Sequence, residues 1–146
     1  MQKDIKHQFI YSEPAEIIWE YLTDPKLLAE WLMPNDFKPI VGHKFQFKAK
    51  PKLNLGFDGT VYCEVLEIVT YKKLVYSWQG GMSKETPSLD SIVTWTLIAA
   101  DNGTILQLEH RGFKGLKNYF AYIIMNAGWA KIGKRLLKQV NQVYSR

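Results

Sequence analysis

The chain has 146 residues and a formal net charge of +5, from 19 basic and 14 acidic residues, which fits a single domain spanning residues 1–146. Hydrophobic residues make up 47% and aromatic residues 14% of the sequence, and this richness excludes intrinsic disorder. The basic residues belong to no recognisable nucleic-acid-binding module, and polar residues interrupt every apolar run, so we expect neither nucleic-acid binding nor membrane insertion. One cysteine excludes an internal disulfide, and the N-terminus lacks an apolar signal region, so we expect a cytoplasmic protein.

Two hydrophobic periodicities divide the chain into helices and strands. Apolar residues that recur every three or four positions predict helices, and apolar residues that alternate with polar ones predict strands. Gly, Ser, Pro and charged residues dominate residues 79–90, which we expect to form an exposed, mobile loop. In chain order the pattern predicts a strand at 4–11, helices at 15–22 and from Pro25 to near Trp31, strands at 43–48, 57–68, 74–78, 92–99 and 104–111, and a helix at 115–144.

The last predicted helix is amphipathic, and the rest of the chain is expected to wrap around it. Basic residues between 131 and 138 fall on its solvated face. Gly128 and Gly133 each weaken the helix by about 1 kcal/mol relative to Ala, which indicates close packing of another backbone. The core-facing stripe is Tyr122, Met125, Trp129, Ile132, Gly133, Leu136, Val140 and Val143. The first half is also apolar outside this stripe, so a loop or a partner should cover it; the residues concerned are Phe120, Ile123, Ile124 and Ala127.

A sheet with one apolar face and a single long helix must bury those surfaces against each other. We therefore expect an α+β fold in which a curved antiparallel sheet of about six to seven strands wraps around the C-terminal helix, with two short helices after the first strand. Where sheet and helix diverge, a tunnel-shaped space suits an apolar ligand.

Several stretches, taken in order, resemble one known superfamily. They are FIYSEPAEIIW at 9–19, LTDP at 22–25 with Trp31, GTV at 59–61 running to LVYSW at 74–78, VTWTL at 93–97, residues 103–108 with His110, GF at 112–113, and GW at 128–129. Over essentially its whole length the chain is similar to the START-like, helix-grip superfamily. Within it, the chain resembles the branch named after the heat-shock-protein-90 ATPase activator homologues.

The resemblance implies a helix-grip fold with a cavity more firmly than it implies an activity. Members of the superfamily bind lipids, sterols, polyketides and other hydrophobic molecules, and some are cyclases or hydrolases. The eukaryotic co-chaperone of the branch carries an additional N-terminal domain that contributes to chaperone binding, and no segment of this sequence corresponds to it. Co-chaperone activity is therefore not the first expectation.

The residues expected to line the space between sheet and helix are mostly apolar, with two polar groups, His110 and Asn126, suited to orienting a ligand. Alternatively these side chains fill the core and leave a small cavity, because burying a Trp or Phe side chain stabilises by about 1.5–3 kcal/mol. From the two short helices and the sheet, the set is Trp31, Phe45, Phe47, Val61, Cys63, Trp78, Trp95, Leu108 and His110. From the C-terminal helix it is Tyr122, Met125, Asn126 and Trp129.

No group of residues in the sequence forms a recognisable catalytic motif. His7, His43 and His110 have neither the spacing of a metal site nor a neighbouring cysteine pair, although alternation places all three on inward faces. A shared metal or acid–base role stays open beside the more usual buried, hydrogen-bonded histidine. Cys63 is expected to be a small core hydrophobe. We see no Gly-rich phosphate loop or nucleophile elbow, and we expect no enzymatic activity, cofactor or metal.

The sequence thus predicts non-enzymatic binding of a small hydrophobic or aromatic molecule, lipid-, sterol- or polyketide-like, with residues 50–56 and 79–90 gating the entrance. A chaperone-linked or stress-response interaction protein is the second hypothesis, and a cyclase- or hydrolase-type enzyme is the third. Phe120 and Ile124, on the outer side of the helix, would serve a homodimer or a chaperone contact.

Overall fold

The fold is seen in a computed structural model that describes residues 2–48, 60–81 and 87–144. In chain order the described elements are β1 (Gln2–Tyr11), α1 (Ala15–Thr23), α2 (Pro25–Trp31), β2 (Lys44–Lys48), β3 (Thr60–Val69), β4 (Lys73–Gly81), β5 (Pro87–Ala100), β6 (Gly103–Lys114) and α3 (Gly115–Tyr144). The last helix has the bounds that the sequence predicts. The predicted loop at 50–56 lies outside the described residues.

The six described strands form one antiparallel sheet in the order β1-β6-β5-β4-β3-β2. Alternation decides which side chains face inward, because successive residues of a strand point to opposite faces. In β3, Val61, Cys63 and Val65 are buried, while Tyr62 and Glu64 between them are half-exposed. The α+β arrangement expected from the sequence is confirmed, with five strands after the helical connector and six in all.

The two short helices α1 and α2, which connect β1 to β2, are held in place by a helix cap and by the buried ring of Trp31. Asp24 precedes α2, and its carboxylate accepts hydrogen bonds from the backbone N–H groups of Lys26 at 2.8 Å and Leu27 at 3.4 Å. At the other end of α2, the Trp31 Nε1–H donates to the Tyr21 carbonyl at 2.8 Å. These bonds satisfy helix-end groups that would otherwise lack partners, and they fix the Trp31 ring in the core.

The C-terminal half of α3 packs tightly on the sheet. Trp129, Leu136 and Val140 are fully buried. The two glycines of this helix were predicted to pack closely against another backbone, and the described residues show no such backbone contact at either of them. A Cβ at Gly133 would collide with the ring of Phe9, which is a side chain, and a Cβ at Gly128 would meet nothing within 4 Å. The prediction is therefore wrong at Gly128, and at Gly133 the neighbour is an aromatic ring.

The predicted loop at 79–90 is wrong at both of its ends. Residues 79–81 continue β4 and residues 87–90 begin β5, paired as Gln79 with Asp90, Gly80 with Leu89 and Gly81 with Pro87. Leu89 is only 5% exposed, since it faces the core. The polar residues that suggested a loop include Gln79 and Asp90, whose side chains hydrogen-bond to each other at 3.2 Å on the outer face of the sheet. Residues 82–86 lie outside the described part of the chain.

Candidate functional site

Most of the predicted lining residues form one packed aromatic cluster inside the sheet. Every member predicted from the connector and the sheet is buried, as is Trp129. Ring centroids follow one another at van der Waals distances, which are 5.4 Å for Phe45–Phe47, 5.4 Å for Phe47–Trp78, 5.2 Å for Trp78–Trp129, 5.6 Å for Trp95–Trp129 and 5.7 Å for Trp31–Trp95. These rings therefore join β2, β4, β5, α2 and α3, and they supply core packing whether or not a ligand touches them.

A directed chain of hydrogen bonds runs through the cluster from the helix to three strands. The Trp129 Nε1–H donates to His110 Nδ1 at 2.9 Å. His110 Nε2 lies 2.7 Å from Ser91 Oγ, and the Ser91 hydroxyl donates to the Trp78 carbonyl at 2.9 Å. An indole N–H can only donate, so His110 Nδ1 must be unprotonated. Because Ser91 gives its single proton to Trp78, His110 Nε2 must carry the hydrogen.

His110 is therefore held as a neutral imidazole with both ring nitrogens engaged. Burial lowers the pKa of His110 from 6.5 to about 3, because the charged form would lose its hydration. A ligand that hydrogen-bonds to His110 would have to displace Ser91 or Trp129. This arrangement suits a structural tie more than a proton carrier, since a general base needs a free nitrogen and a pKa near the working pH.

Two further titratable groups inside the sheet, Tyr76 and Cys63, are also held neutral. Burial raises the pKa of the Tyr76 hydroxyl, and the hydrogen bond from Trp95 Nε1–H at 2.9 Å opposes that rise. Burial also raises the pKa of the Cys63 thiol, and the nearby negative charge of Asp36 adds to the effect. A thiol that stays protonated is a poor nucleophile, so Cys63 behaves here as a small apolar side chain.

The three histidines do not come together. His7 Nε2 contacts the backbone carbonyl of Asn126 at 3.1 Å, and His43 Nε2 contacts the carbonyl of Asp36 at 2.9 Å. Each histidine thus has its own backbone or side-chain partner. Within the described residues, no three His, Cys, Asp or Glu side chains are grouped in a way that would hold a metal ion.

Three described residues in the first half of α3 are less completely buried than Trp129. Tyr122, Met125 and Asn126 lie on the side of the helix that faces the sheet, yet all three are only half-buried, whereas Trp129 is sealed. Tyr122 reaches Phe113 at the end of β6, with 5.9 Å between ring centroids. We call the region where these helix residues meet the end of β6 the wedge, defined by Tyr122, Met125, Asn126 and Phe113.

Two shallow cavities lie elsewhere, on the outer face of the sheet. One, of about 430 Å³, is lined by polar side chains of β1, β5 and β6, including Lys6, Thr94 and Gln107. The other, of about 220 Å³, is bordered by Asp36 and by residues of β2, β3 and β4, including Gln46. Both are open, and about half of each lining is polar, so neither has the enclosed, mostly apolar character of a site for a hydrophobic ligand.

Sequence reasoning missed two residues that matter to this region. Ser91 lies next to the predicted loop at 79–90 and was assigned no role, although it shares the inward parity of Val93 and Trp95 along β5. Phe113 belongs to the stretches that resemble the superfamily but was not predicted to line the site. Its ring packs edge-on against that of His110, with 4.7 Å between ring centroids. Extending the alternation of β5 and β6 by a few residues would have found both. The side chains of the predicted interface residues Phe120 and Ile124 lie outside the described part.

Comparison with known proteins identifies the fold and the family. The family described as Activator of Hsp90 ATPase homolog 1-like protein matches residues 12–141. Protein MLL2253 from Mesorhizobium loti is 34% identical with a TM-score of 0.82, over 96% of this chain and 98% of that one. Protein BH1534 from Bacillus halodurans is 26% identical with a TM-score of 0.73, over 94% and 98%. CalU16 from Micromonospora echinospora shares the fold at 21% identity, with a TM-score of 0.71 over 95% and 74%.

These matches confirm the predicted resemblance and the helix-grip fold. No curated protein matches the chain. Across residues 2–48, 60–81 and 87–144, every helix is too short or too polar to span a bilayer.

Proposed function

Because the chain belongs to the family of Activator of Hsp90 ATPase homolog 1-like proteins, we propose that it binds a small hydrophobic or aromatic molecule between the sheet and the first half of α3. The observation that carries the proposal is the wedge. Tyr122, Met125 and Asn126 face the sheet but stay half-exposed, whereas Trp129, Leu136 and Val140 further along the helix are buried and Ile132 is half-buried. Apolar side chains that face inward without being covered are the usual lining of a ligand site.

The chemistry of the surroundings favours an uncharged ligand. The buried polar groups next to the wedge, those of Trp129, His110 and Ser91, are satisfied by one another. Glu13 is the acidic residue among the buried polar side chains of the described chain, and it contacts Thr104 at the opposite end of β6. The nine residue steps from Thr104 to Phe113 separate it from the wedge by about 30 Å along the strand. Among the described residues, a charged ligand would thus find no buried group of opposite charge to offset its lost hydration.

We propose that binding is non-enzymatic. Three features support this: His110 is neutral with both nitrogens engaged, Cys63 is a buried thiol whose pKa burial raises, and the hydroxyl of Tyr76 accepts from Trp95. Asn126 keeps a half-buried side-chain amide beside the wedge. An amide both donates and accepts hydrogen bonds, so it suits the orientation of a carbonyl or hydroxyl group on an otherwise apolar molecule.

A substitution that fills the wedge tests the proposal. Met125→Trp adds a large ring between α3 and the sheet, and Ala127→Trp adds the same ring on the exposed side of the same helix turn. The wild type and both variants would be screened by thermal shift against fatty acids, sterols, flavonoids and polyketide-like aromatics. A ligand at a hundredfold excess over its Kd stabilises the folded state by about 2.7 kcal/mol.

We expect at least one ligand to raise the melting temperature of the wild type and of Ala127→Trp but not that of Met125→Trp. Circular dichroism would first establish that both variants are folded. A hit that survives in both variants would place the ligand elsewhere. A screen with no hit in any class would mean that the aromatic cluster is only a core, and the proposal would be withdrawn.

A further inference from the structure

The net charge of the protein is concentrated on α3. This helix contains five of the 19 basic residues and none of the 14 acidic ones, so it accounts for the whole formal charge of +5 and the rest of the chain is neutral. Lys131, Lys134, Arg135 and Lys138 are all exposed. The ion pairs between described residues are Lys6–Glu109, Lys73–Glu67 and Arg111–Glu109, and none of them involves α3.

The same side of the helix is apolar in its first half. Ile123 is 47% exposed, and Ala127 is exposed one turn later. Ile123, Ala127, Lys131 and Lys138 follow one another at spacings of four or seven residues, so they share one face of the helix. At a rise of about 1.5 Å per residue, the apolar part and the cationic part together extend over about 22 Å.

We propose that this outer face of α3 docks the protein on an anionic phospholipid surface. Four unpaired cations call for an anionic partner, and the attraction reaches about 10 Å at 0.1 M salt. Adjoining apolar side chains favour a membrane over nucleic acid, since the headgroup region accepts an isoleucine beside its phosphates whereas a phosphate backbone in water does not. The helix lies on the surface and does not cross it, because its other face is buried in the core.

In the docked orientation the wedge would lie on the other side of α3 from the bilayer, one helix diameter (about 10 Å) away. Tyr122 adjoins Ile123 and lies between the two sides, whereas Met125 is half a turn from Ile123 and faces the sheet. Apolar molecules dissolved in the membrane would then have a short path to the wedge. This last step rests on the proposed ligand binding, but the docking itself depends only on the charge and exposure of α3.

Vesicle co-sedimentation of the full chain tests the docking. The vesicles contain equal parts of phosphatidylglycerol and phosphatidylcholine, in about 0.1 M salt, where surface charges still act across about 10 Å. Each basic residue near an anionic surface contributes about fivefold to binding, which corresponds to about 1 kcal/mol. Lys134→Gln with Lys138→Gln should therefore lower the partition coefficient by about 30-fold.

A matched double variant removes two positive charges from parts of the surface outside α3. Lys26 on α2 and Lys72 in the turn before β4 are both exposed, so Lys26→Gln with Lys72→Gln should keep the wild-type partition coefficient. Ile123→Ser should weaken binding by several-fold, because an apolar contact is lost.

Four results would overturn the proposal. Equal losses in the two double variants would mean unspecific attraction by net charge. Equal binding to vesicles of pure phosphatidylcholine, or no binding to either kind of vesicle, would mean that the basic residues of α3 do not dock the protein on an anionic surface. Tighter binding to a DNA duplex at the same phosphate concentration would make nucleic acid the partner. The assay contains no hydrophobic ligand, so its outcome is independent of the thermal-shift screen.

Discussion

The chain of hydrogen bonds through His110 makes the stability of the fold depend on pH in a defined window. The folded protein lowers the pKa of His110 to about 3 from an ordinary value of 6.5. Between these two values the unfolded chain binds a proton that the folded chain does not bind. The free energy of unfolding therefore rises with pH across this window. The stabilisation is fully present above pH 6.5 and is lost as the pH falls from 6.5 towards 3.

The size of the effect follows from this difference in proton binding. Each pH unit below 6.5 costs about 1.4 kcal/mol as long as His110 stays neutral in the folded state. At pH 5 the contribution of His110 is thus about 2 kcal/mol smaller than at pH 8. A domain of this size has a free energy of unfolding of about 5–15 kcal/mol, so the loss is readily measured. Urea unfolding followed by tryptophan fluorescence at the two pH values supplies the difference.

Carboxylates also contribute to acid destabilisation, so the effect of His110 must be isolated by substitution. In His110→Asn the amide oxygen stands where Nδ1 stands, and it still accepts from Trp129, while the titratable ring is gone. About 2 kcal/mol of the difference between pH 8 and pH 5 should disappear in this variant. His7→Asn and His43→Asn serve as matched controls, because both retain His110 and should retain its share of the acid effect.

Three results would refute this account of His110. An undiminished difference between pH 8 and pH 5 in His110→Asn, or a His110 ring that titrates near 6.5 in the NMR spectrum of the folded wild type, would mean that folding does not lower the pKa of His110. A proton on Nδ1 in the same spectrum would mean that Trp129 does not donate to an unprotonated Nδ1.

Further predictions concern backbone positions. Gly128→Ala should raise the free energy of unfolding by up to about 1 kcal/mol, since Ala is the better helix former and its Cβ meets nothing within 4 Å. Gly133→Ala should lower it, because displacing the Phe9 ring costs about 1–3 kcal/mol. A combined Phe9→Leu substitution should reduce that penalty, and an unchanged penalty would contradict the contact. Asp24→Ala should cost about 1 kcal/mol by removing the cap of α2, measured by the same urea unfolding. No loss would mean that the cap bonds contribute nothing.

Periodicity was enough to predict the elements and the faces that they bury. The bounds of α3 follow from a stripe that repeats every three or four residues, and the inward faces of β2 and β3 follow from alternation at Phe45, Phe47, Val61 and Cys63. These signals succeed because each depends on neighbours within one element. Composition alone misled at residues 79–81 and 87–90, since polar and flexible residues in a strand look like those of a loop.

The polar contacts of the site could not be read from the sequence. His110 meets Ser91 because the register of β5 on β6 pairs Val93 with His110, and it meets Trp129 only after α3 has docked. Neither the register nor the docking is encoded at a fixed sequence spacing. Whether an aromatic residue fills the core or lines a wedge is likewise decided by packing, as the contrast between Trp129 and Tyr122 shows.

The two halves of α3 carry different parts of the work, and Trp129 marks the boundary. Beyond it, Leu136 and Val140 are fully buried and stabilise the packing of the helix against the sheet. At the boundary, Trp129 is fixed by its bond to His110 and by contacts with the rings of Trp78 and Trp95. Tyr122, Met125 and Asn126 before it are half-buried, and the fixed ring separates them from the buried residues beyond. Local stability in proteins is commonly uneven in this way, with ligand-binding segments at the low end. A ligand entering the wedge would meet Trp129 as a fixed wall, so binding should add order to the first half of α3 and leave the second half unchanged.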